Sequence, residues 1–366
     1  YKKAISAFEN SLSLATVIDD QTQRVVSLNN LASAYSSSGE YEKAIEFYEN
    51  SLVISREKDL PLEESIALNG LGAVYYSLEQ FGEAIKTYQL GLAIAKEINY
   101  SQGQADTLHN IATAYLVSKD FIKAEAFFEE TILILEALRD PALGDAEKID
   151  ILDLQLKSYT GLEESLISQG KTLDALQVSE QGRARAFAEL LGQKRWSGNS
   201  DEFSLIPLSL ADVREITAAQ DSVIVEYSLN VNFETGNSSI YVWVIQPTGE
   251  VTFRDIDLEG HALPLRDLLQ QSRAAIGVTG RGGFVPVFEA VNETEQLRQL
   301  HQLLIEPIAE YLPNDPDQRI TFIPQGDLFL VPFPALIDAN GDYLIENHTI
   351  STAPSIQALD LTQRQK

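Results

Sequence analysis

Asn29-Asn30-Leu31-Ala32-Ser33-Ala34-Tyr35 is followed forty residues later by Asn69-Gly70-Leu71-Gly72-Ala73-Val74-Tyr75, and forty later again by His109-Asn110-Ile111-Ala112-Thr113-Ala114-Tyr115. A second block keeps the same period: Tyr41-Glu42-Lys43-Ala44-Ile45, Phe81-Gly82-Glu83-Ala84-Ile85 and Phe121-Ile122-Lys123-Ala124-Glu125. Tyr1-Lys2-Lys3-Ala4-Ile5 is that block once more, so the chain opens inside a repeat and is expected to be a piece of a longer one. Leu28, Leu31, Ala32 and Tyr35 have the three-and-four spacing of one helical face, and so do Ala44, Ile45, Tyr48 and Leu52. Ser36-Ser37-Ser38-Gly39 stops the first helix and lets the chain reverse. Each unit therefore reads as two helices, A and B, with small residues (Ala32, Gly72, Ala112; Ala44, Ala84, Ala124) where they cross closely. One such pair cannot bury its apolar stripe alone, so neighbours must stack into a superhelix with the A helices along its concave face.

The whole chain has 366 residues, 44% of them apolar, and a formal charge of −27. A surface this acidic repels phosphate backbones, which argues against nucleic acid as the partner. No apolar run reaches the length of a membrane span and none resembles a signal peptide, so neither a membrane nor export is expected. There is no Cys, which excludes disulfides, thiolate-bound metals and a thiol nucleophile within these residues. A reducing, cytoplasmic setting fits that composition, and no cofactor is expected.

The small-residue positions, the aromatic of helix A and the Ala of helix B resemble the tetratricopeptide repeat over residues 1–138. The usual unit has about 34 residues, so the extra length here is expected to lengthen the helices. The period then breaks: Asp140-Pro141-Ala142-Leu143-Gly144 is a loop, and 139–191 reads as a longer capping helical pair. That pair ends in Glu180-Gln181-Gly182-Arg183-Ala184-Arg185-Ala186-Phe187, where one arginine is expected to pack or pair at the junction with the second domain. A functional version of this helix would transmit binding on the array to the domain behind it.

By position Asn29, Asn69 and His109 face the concave groove, with Asn30 and Asn110 beside them. A carboxamide both donates and accepts, so a ladder of them can pair with the backbone of an extended peptide or protein segment. The same residues could equally cap turns or bridge adjacent helices. No Lys or Arg occupies the ladder, which disfavours a clamp for a carboxylate and favours backbone reading or a basic or neutral peptide.

Residues 192–204 are polar and Gly/Ser-rich, a linker; from 205 the period turns from helical to alternating. Val223–Tyr227, Ser239–Ile245 and Val251–Asp255 read as an antiparallel meander, Leu263–Ile276 and Glu295–Leu312 as helices, and Ile320–Pro324 as a buried strand. Short strands are expected at Leu328–Pro332, Tyr343–Ile345 and Thr349–Thr352, then a helix from Ser355. The order from the Arg-Ala-Arg helix through Val225-Glu226-Tyr227, Leu303-Leu304-Ile305-Glu306-Pro307-Ile308 and Phe322-Ile323-Pro324-Gln325-Gly326-Asp327-Leu328 to Val331-Pro332-Phe333-Pro334-Ala335-Leu336, Tyr343-Leu344-Ile345-Glu346 and Ala353-Pro354-Ser355 resembles the CHAT domain. That is the caspase-related module found after tetratricopeptide repeats in bacteria.

The resemblance implies an all-α superhelix followed by a mixed α/β, caspase-like domain over 205–366, incomplete at its C-terminus. It also implies a clan-CD-type cysteine peptidase whose His lies in a His-Gly motif and whose Cys lies in an Ala-Cys motif, both after the Ala-Pro-Ser segment. No His here precedes a Gly and no Cys exists, so no catalytic residue is assigned. The competing expectation is a non-catalytic scaffold or adaptor carrying a degenerate domain.

His348, His261 and His301 read as ordinary edge or helical residues with no metal-ligand spacing. Gly277-Val278-Thr279-Gly280-Arg281-Gly282-Gly283 lacks the ending of a phosphate loop and reads as a connector. Asp255, Asp257 and Glu259 read as a solvated acidic strand face.

Overall fold

The computed structural model describes residues 1–138, 144–193, 208–231, 238–258, 265–275 and 293–364. The chain forms two compact units, Tyr1–Lys171 and Thr172–Lys366. The division falls between the two helices that the sequence suggests as a pair.

The first unit is a run of antiparallel helices: α1 (Lys2–Val17), α2 (Gln21–Ser37), α3 (Tyr41–Glu57), α4 (Pro61–Ser77), α5 (Phe81–Glu97), α6 (Ser101–Val117), α7 (Phe121–Ala137) and α8 (Asp145–Ser168). From α2 to α7 every helix has 17 residues, and the reason is visible in the turns. Asp19, Gly39, Asp59, Glu79, Asn99 and Lys119 all have positive φ, one every twenty residues. At Gly39 the Glu40 N–H reaches back to the Tyr35 carbonyl at 2.9 Å and the Gly39 N–H to Ser36 at 3.0 Å, a left-handed cap that satisfies the last carbonyls. The same reach-back recurs from Asp20 to Ala15, Leu60 to Ser55, Gln80 to Tyr75, Tyr100 to Ala95 and Asp120 to Tyr115. The forty-residue period is thus two equal helix-plus-cap halves, which is where the lengthening over a shorter unit goes.

Packing follows the repeat. Ala32, Ala44, Ala84, Ala112 and Ala124 are fully buried, and a Cβ on Gly72 would sit 2.5 Å from the Tyr88 ring. Tyr35 stacks on Phe47 with ring centroids 5.4 Å apart, and Tyr115 on Phe127 at 5.6 Å.

The second unit is built on a five-stranded sheet of order β3-β2-β1-β4-β5, with β1 (Ser222–Val231), β2 (Ser238–Ile245), β3 (Val251–Asp257), β4 (Arg319–Ile323) and β5 (Thr349–Thr352). The meander β1-β2-β3 is antiparallel, whereas β4 and β5 run parallel to β1. Its helices are α9 (Thr172–Gln193), α10 (Leu210–Gln220), α11 (Leu265–Ala275), α12 (Glu293–Leu304), α13 (Leu344–Asn347) and α14 (Ile356–Arg364). Alternation along β1 sends Val223, Val225 and Tyr227 into one apolar core with Leu269 of α11 and Leu300 and Leu304 of α12. Ile224 and Glu226 point to the opposite face, where Trp243 of β2 donates to the Thr172 carbonyl of α9 at 2.8 Å.

Two short strands expected from sequence are helical turns. Gly326–Leu330 is a 3₁₀ turn begun by Gly326 at positive φ, and Pro332 and Pro334 beyond it lack the N–H a ladder needs. At Tyr343 the backbone N–H donates to the Glu346 carboxylate at 2.8 Å, and this reach-back opens α13.

Glu79→Gly removes left-handed strain and is expected to stabilise the chain by about 0.5 kcal/mol, while Glu79→Val costs roughly 1 kcal/mol or more. Denaturant midpoints of the two variants and the wild type check this; equal midpoints would contradict the role of the cap.

Candidate functional site

The A helices α2, α4, α6 and α8 carry the residues expected to face the groove. Asn29 is 7% exposed; its Nδ2 donates to the Glu63 carbonyl at 3.3 Å, and its Oδ1 is buried without a partner. Asn110 Nδ2 donates to Asn69 Oδ1 at 3.1 Å, linking α6 to α4. Both residues are half-buried, so each carboxamide keeps its other pole near the surface. Asn30 is exposed. His109 Nδ1 lies 2.9 Å from the Ser158 hydroxyl of α8, and the ring meets Phe128 edge-on at 5.6 Å. The five positions thus sort by side chain, with Asn29 and His109 pinning one repeat to the next. Asn30, Asn69 and Asn110 keep polar groups toward solvent.

Helices α4 and α6 carry Glu63, Glu64 and Asp106 and contain no Lys or Arg, with Glu64 paired to Arg56 of α3 at 2.7 Å. Arg24 lies on α2, and Lys148 and Lys157 lie on α8. Burial raises the Asp106 carboxyl, the Gln102 side chain lowers it by a hydrogen bond, and Asp150 raises it further. Burial, with help from Lys157 and against Asp153, pushes the His109 imidazole down to about 4.

The second unit contains a polar cluster that sequence reading touched only at Arg183. Its guanidinium donates from Nε to Glu226 at 3.1 Å, from Nη1 to the Pro324 carbonyl at 3.0 Å, and from Nη2 to the Tyr227 carbonyl. It therefore spans the point where the parallel pair β1 and β4 ends, after Glu226↔Ile323. Glu180, one helical turn before Arg183, accepts from the backbone N–H groups opening α14. The signal for this cluster was a carboxylate inside the apolar run Val223-Ile224-Val225-Glu226-Tyr227.

His301 on α12 is buried, and burial lowers its imidazole below the ordinary value. His348 is half-buried and lowered likewise. Asp255 and Asp257 are exposed on β3. Glu259, His261 and Gly277–Gly283 lie outside the described residues. Among the described residues no group of three or more His, Cys, Asp or Glu is placed to hold a metal ion, and no helix is long and apolar enough to cross a membrane.

Comparison with known proteins agrees with both halves of the reading. A family model described as tetratricopeptide repeat matches residues 1–57 and 63–137, and one described as CHAT domain matches 294–366. Tetratricopeptide repeat protein 28 of Mus musculus is 33% identical over 115 residues, covering 31% of this chain and 4% of that protein. The Homo sapiens protein of the same name is 32% identical over 124 residues, covering 33% of this chain and 5% of its own length. The chain thus spans a small fraction of these curated relatives. Among solved structures, BtubC (BKLC) from P. vanneervenii has 21% identity and a TM-score of 0.44, over 57% of this chain and 80% of that one. A Podosopora anserina putative kinesin light chain with nearly identical TPR-like repeats has 19% identity and a TM-score of 0.40, over 53% and 89%.

Two expectations come from the geometry. Below the free-imidazole value of 6.5 the unfolded chain binds a proton that folded His109 refuses down to about 4, so stability falls as pH falls through that window. At about pH 5 the loss is roughly 2 kcal/mol. His109→Asn, which restores the residue of the two preceding repeats, should remove that part of the pH dependence; an unchanged slope between about pH 7 and about pH 5 would refute it. Arg183→Met leaves Glu226 buried and unpaired and is expected to cost roughly 3 kcal/mol or more in chemical denaturation of the whole chain. A cost under about 1 kcal/mol would mean the cluster is not held as described.

Proposed function

We propose that the A-helix groove binds an extended segment of a protein partner and thereby regulates an attached CHAT cysteine peptidase, a reading supported by the tetratricopeptide match over 1–57 and 63–137 and the CHAT match over 294–366. The catalytic His and Cys of such a peptidase are not among these residues. Stacked helical repeats create concave surfaces for protein partners. The observation that carries the reading is the Asn69–Asn110 pair, with Asn30 exposed on α2. The polar groups repeat from one A helix to the next and are not used up by the bridges between them. An extended backbone, which presents a donor and an acceptor at every residue, complements such a ladder whatever its side chains. The partner segment in this reading is basic or neutral, because α4 and α6 at the centre of the array carry carboxylates and no Lys or Arg. Asn29 and His109 support the ladder by holding register between repeats rather than by touching the partner. The setting is cytoplasmic in this reading.

A second reading is a non-catalytic adaptor with a degenerate CHAT domain. The two readings share the groove and differ in whether the complete reading frame encodes a His-Gly and a later Ala-Cys motif.

The test is selection of peptides from a random display library on the immobilised chain, followed by affinity measurement. The triple change of Asn30, Asn69 and Asn110 to Ala removes up to three hydrogen-bonding groups at about 1 kcal/mol each, so selected peptides should bind on the order of a hundredfold more weakly. The melting temperature should stay close to wild type. Selected peptides that bind the triple variant as tightly as the wild type would sink the ladder.

A further inference from the structure

Glu180 and Glu226 are 1% and 0% exposed, inside the second unit. Glu180 Oε2 accepts from Ile356 N at 2.8 Å and Gln357 N at 3.4 Å, the first turn of α14, where the aligned peptide dipoles favour an acceptor. Glu226 Oε1 accepts from Arg183 Nε at 3.1 Å. The two remaining oxygens, Glu180 Oε1 and Glu226 Oε2, are both buried and neither completes a well-formed hydrogen bond, although the buried Ser179 hydroxyl lies beside Glu226. Yet the two carboxyls are hydrogen-bond neighbours of one another. Two carboxylates and one guanidinium would leave an uncompensated negative charge in a dry interior, a state that buried groups escape by taking up a proton. One proton resolves both difficulties. The two orphan oxygens become a donor and an acceptor, and the cluster becomes neutral.

We propose that Glu180 and Glu226 share a single proton at neutral pH, and that this proton latches the start of α14 to α9. The groups facing it are Arg183 and the Ser179 hydroxyl from α9, Glu226 from β1, the uncharged N–H groups of Ile356 and Gln357 from α14, and the Pro324 carbonyl after β4. Burial holds Glu180 well above the ordinary carboxylate range, Glu226 adds to this, and Arg183 opposes it. In alkaline solution the O–H bond of Glu180 breaks, the proton passes to water, and two adjacent anions remain. A carboxyl raised in the fold contributes stability that is complete below its unfolded value and is lost as pH climbs through its folded one. The latch therefore loosens from the alkaline side. This proposal concerns the second unit and stands independently of the groove.

Glu180→Gln keeps the acceptor for α14 and carries a permanent N–H donor toward Glu226. The melting temperature of the wild type should fall relative to this variant by about 3 °C per pH unit as pH rises above the ordinary carboxylate range. Amide exchange at Ile356 and Gln357 should accelerate more steeply with pH in the wild type than in the variant. Parallel melting and exchange profiles would overturn the proposal. Should Glu180→Gln fail to fold, infrared spectra of glutamate-labelled wild type at neutral pH give the answer. A protonated carboxylic acid band should be present and should be missing from Glu226→Gln, where one guanidinium meets one carboxylate. Identical bands in both proteins, or none in the wild type, would overturn it.

Discussion

Every twenty residues the backbone of the repeat array turns left-handed, and the rest of the first unit depends on that constraint. Caps at residues 39, 59, 79, 99 and 119 end α2 to α6 at the same length of 17 residues, and a sixth at residue 19 ends α1. Equal helices repeat the small residues Ala32, Gly72 and Ala112 and the small residues Ala44, Ala84 and Ala124 in register along the stack. Five of these six caps are not glycine and carry conformational strain of roughly 1 kcal/mol each. They persist because each closes the reach-back hydrogen bond that satisfies the carbonyls of the preceding helix.

With register fixed in this way, polar side chains of one A helix reach groups on the neighbouring A helix. Asn29 reaches the backbone at Glu63, Asn110 reaches Asn69, and His109 reaches Ser158. The bridging and recognition roles of such a ladder are therefore compatible in chemistry, since a carboxamide has poles to spare. His109 is the departure: burial holds it neutral, so the last rung is a packing residue first.

The array was readable in the sequence because its packing positions join neighbouring helices and recur at a fixed forty-residue period. Tyr35, Ala44 and their counterparts at forty-residue intervals carry the same message in every copy. In the second unit the five strands and helices α11, α12 and α14 were readable from alternation and amphipathicity, whereas α10 (Leu210–Gln220) was not. The turns at Gly326 and Tyr343 were not, since a positive φ and a Glu346 reach-back override a strand-like run of side chains. Nor could the partners of Arg183 be read, because Glu226 and Pro324 stand far along the chain and meet it only through the fold. A charged residue in the middle of an apolar strand was the trace left in the sequence.

The inner face of the A helices is, above all, where a partner segment is proposed to lie. Side-chain amide resonances of Asn30, Asn69 and Asn110, followed by nuclear magnetic resonance while a library-selected peptide is added to the whole chain, address this most directly. Saturable shifts are expected at these carboxamides and along α2, α4 and α6, with the outer faces of α3, α5 and α7 unmoved. Shifts confined to α3, α5 and α7, with the carboxamides unchanged at saturation, would contradict the groove as the binding face.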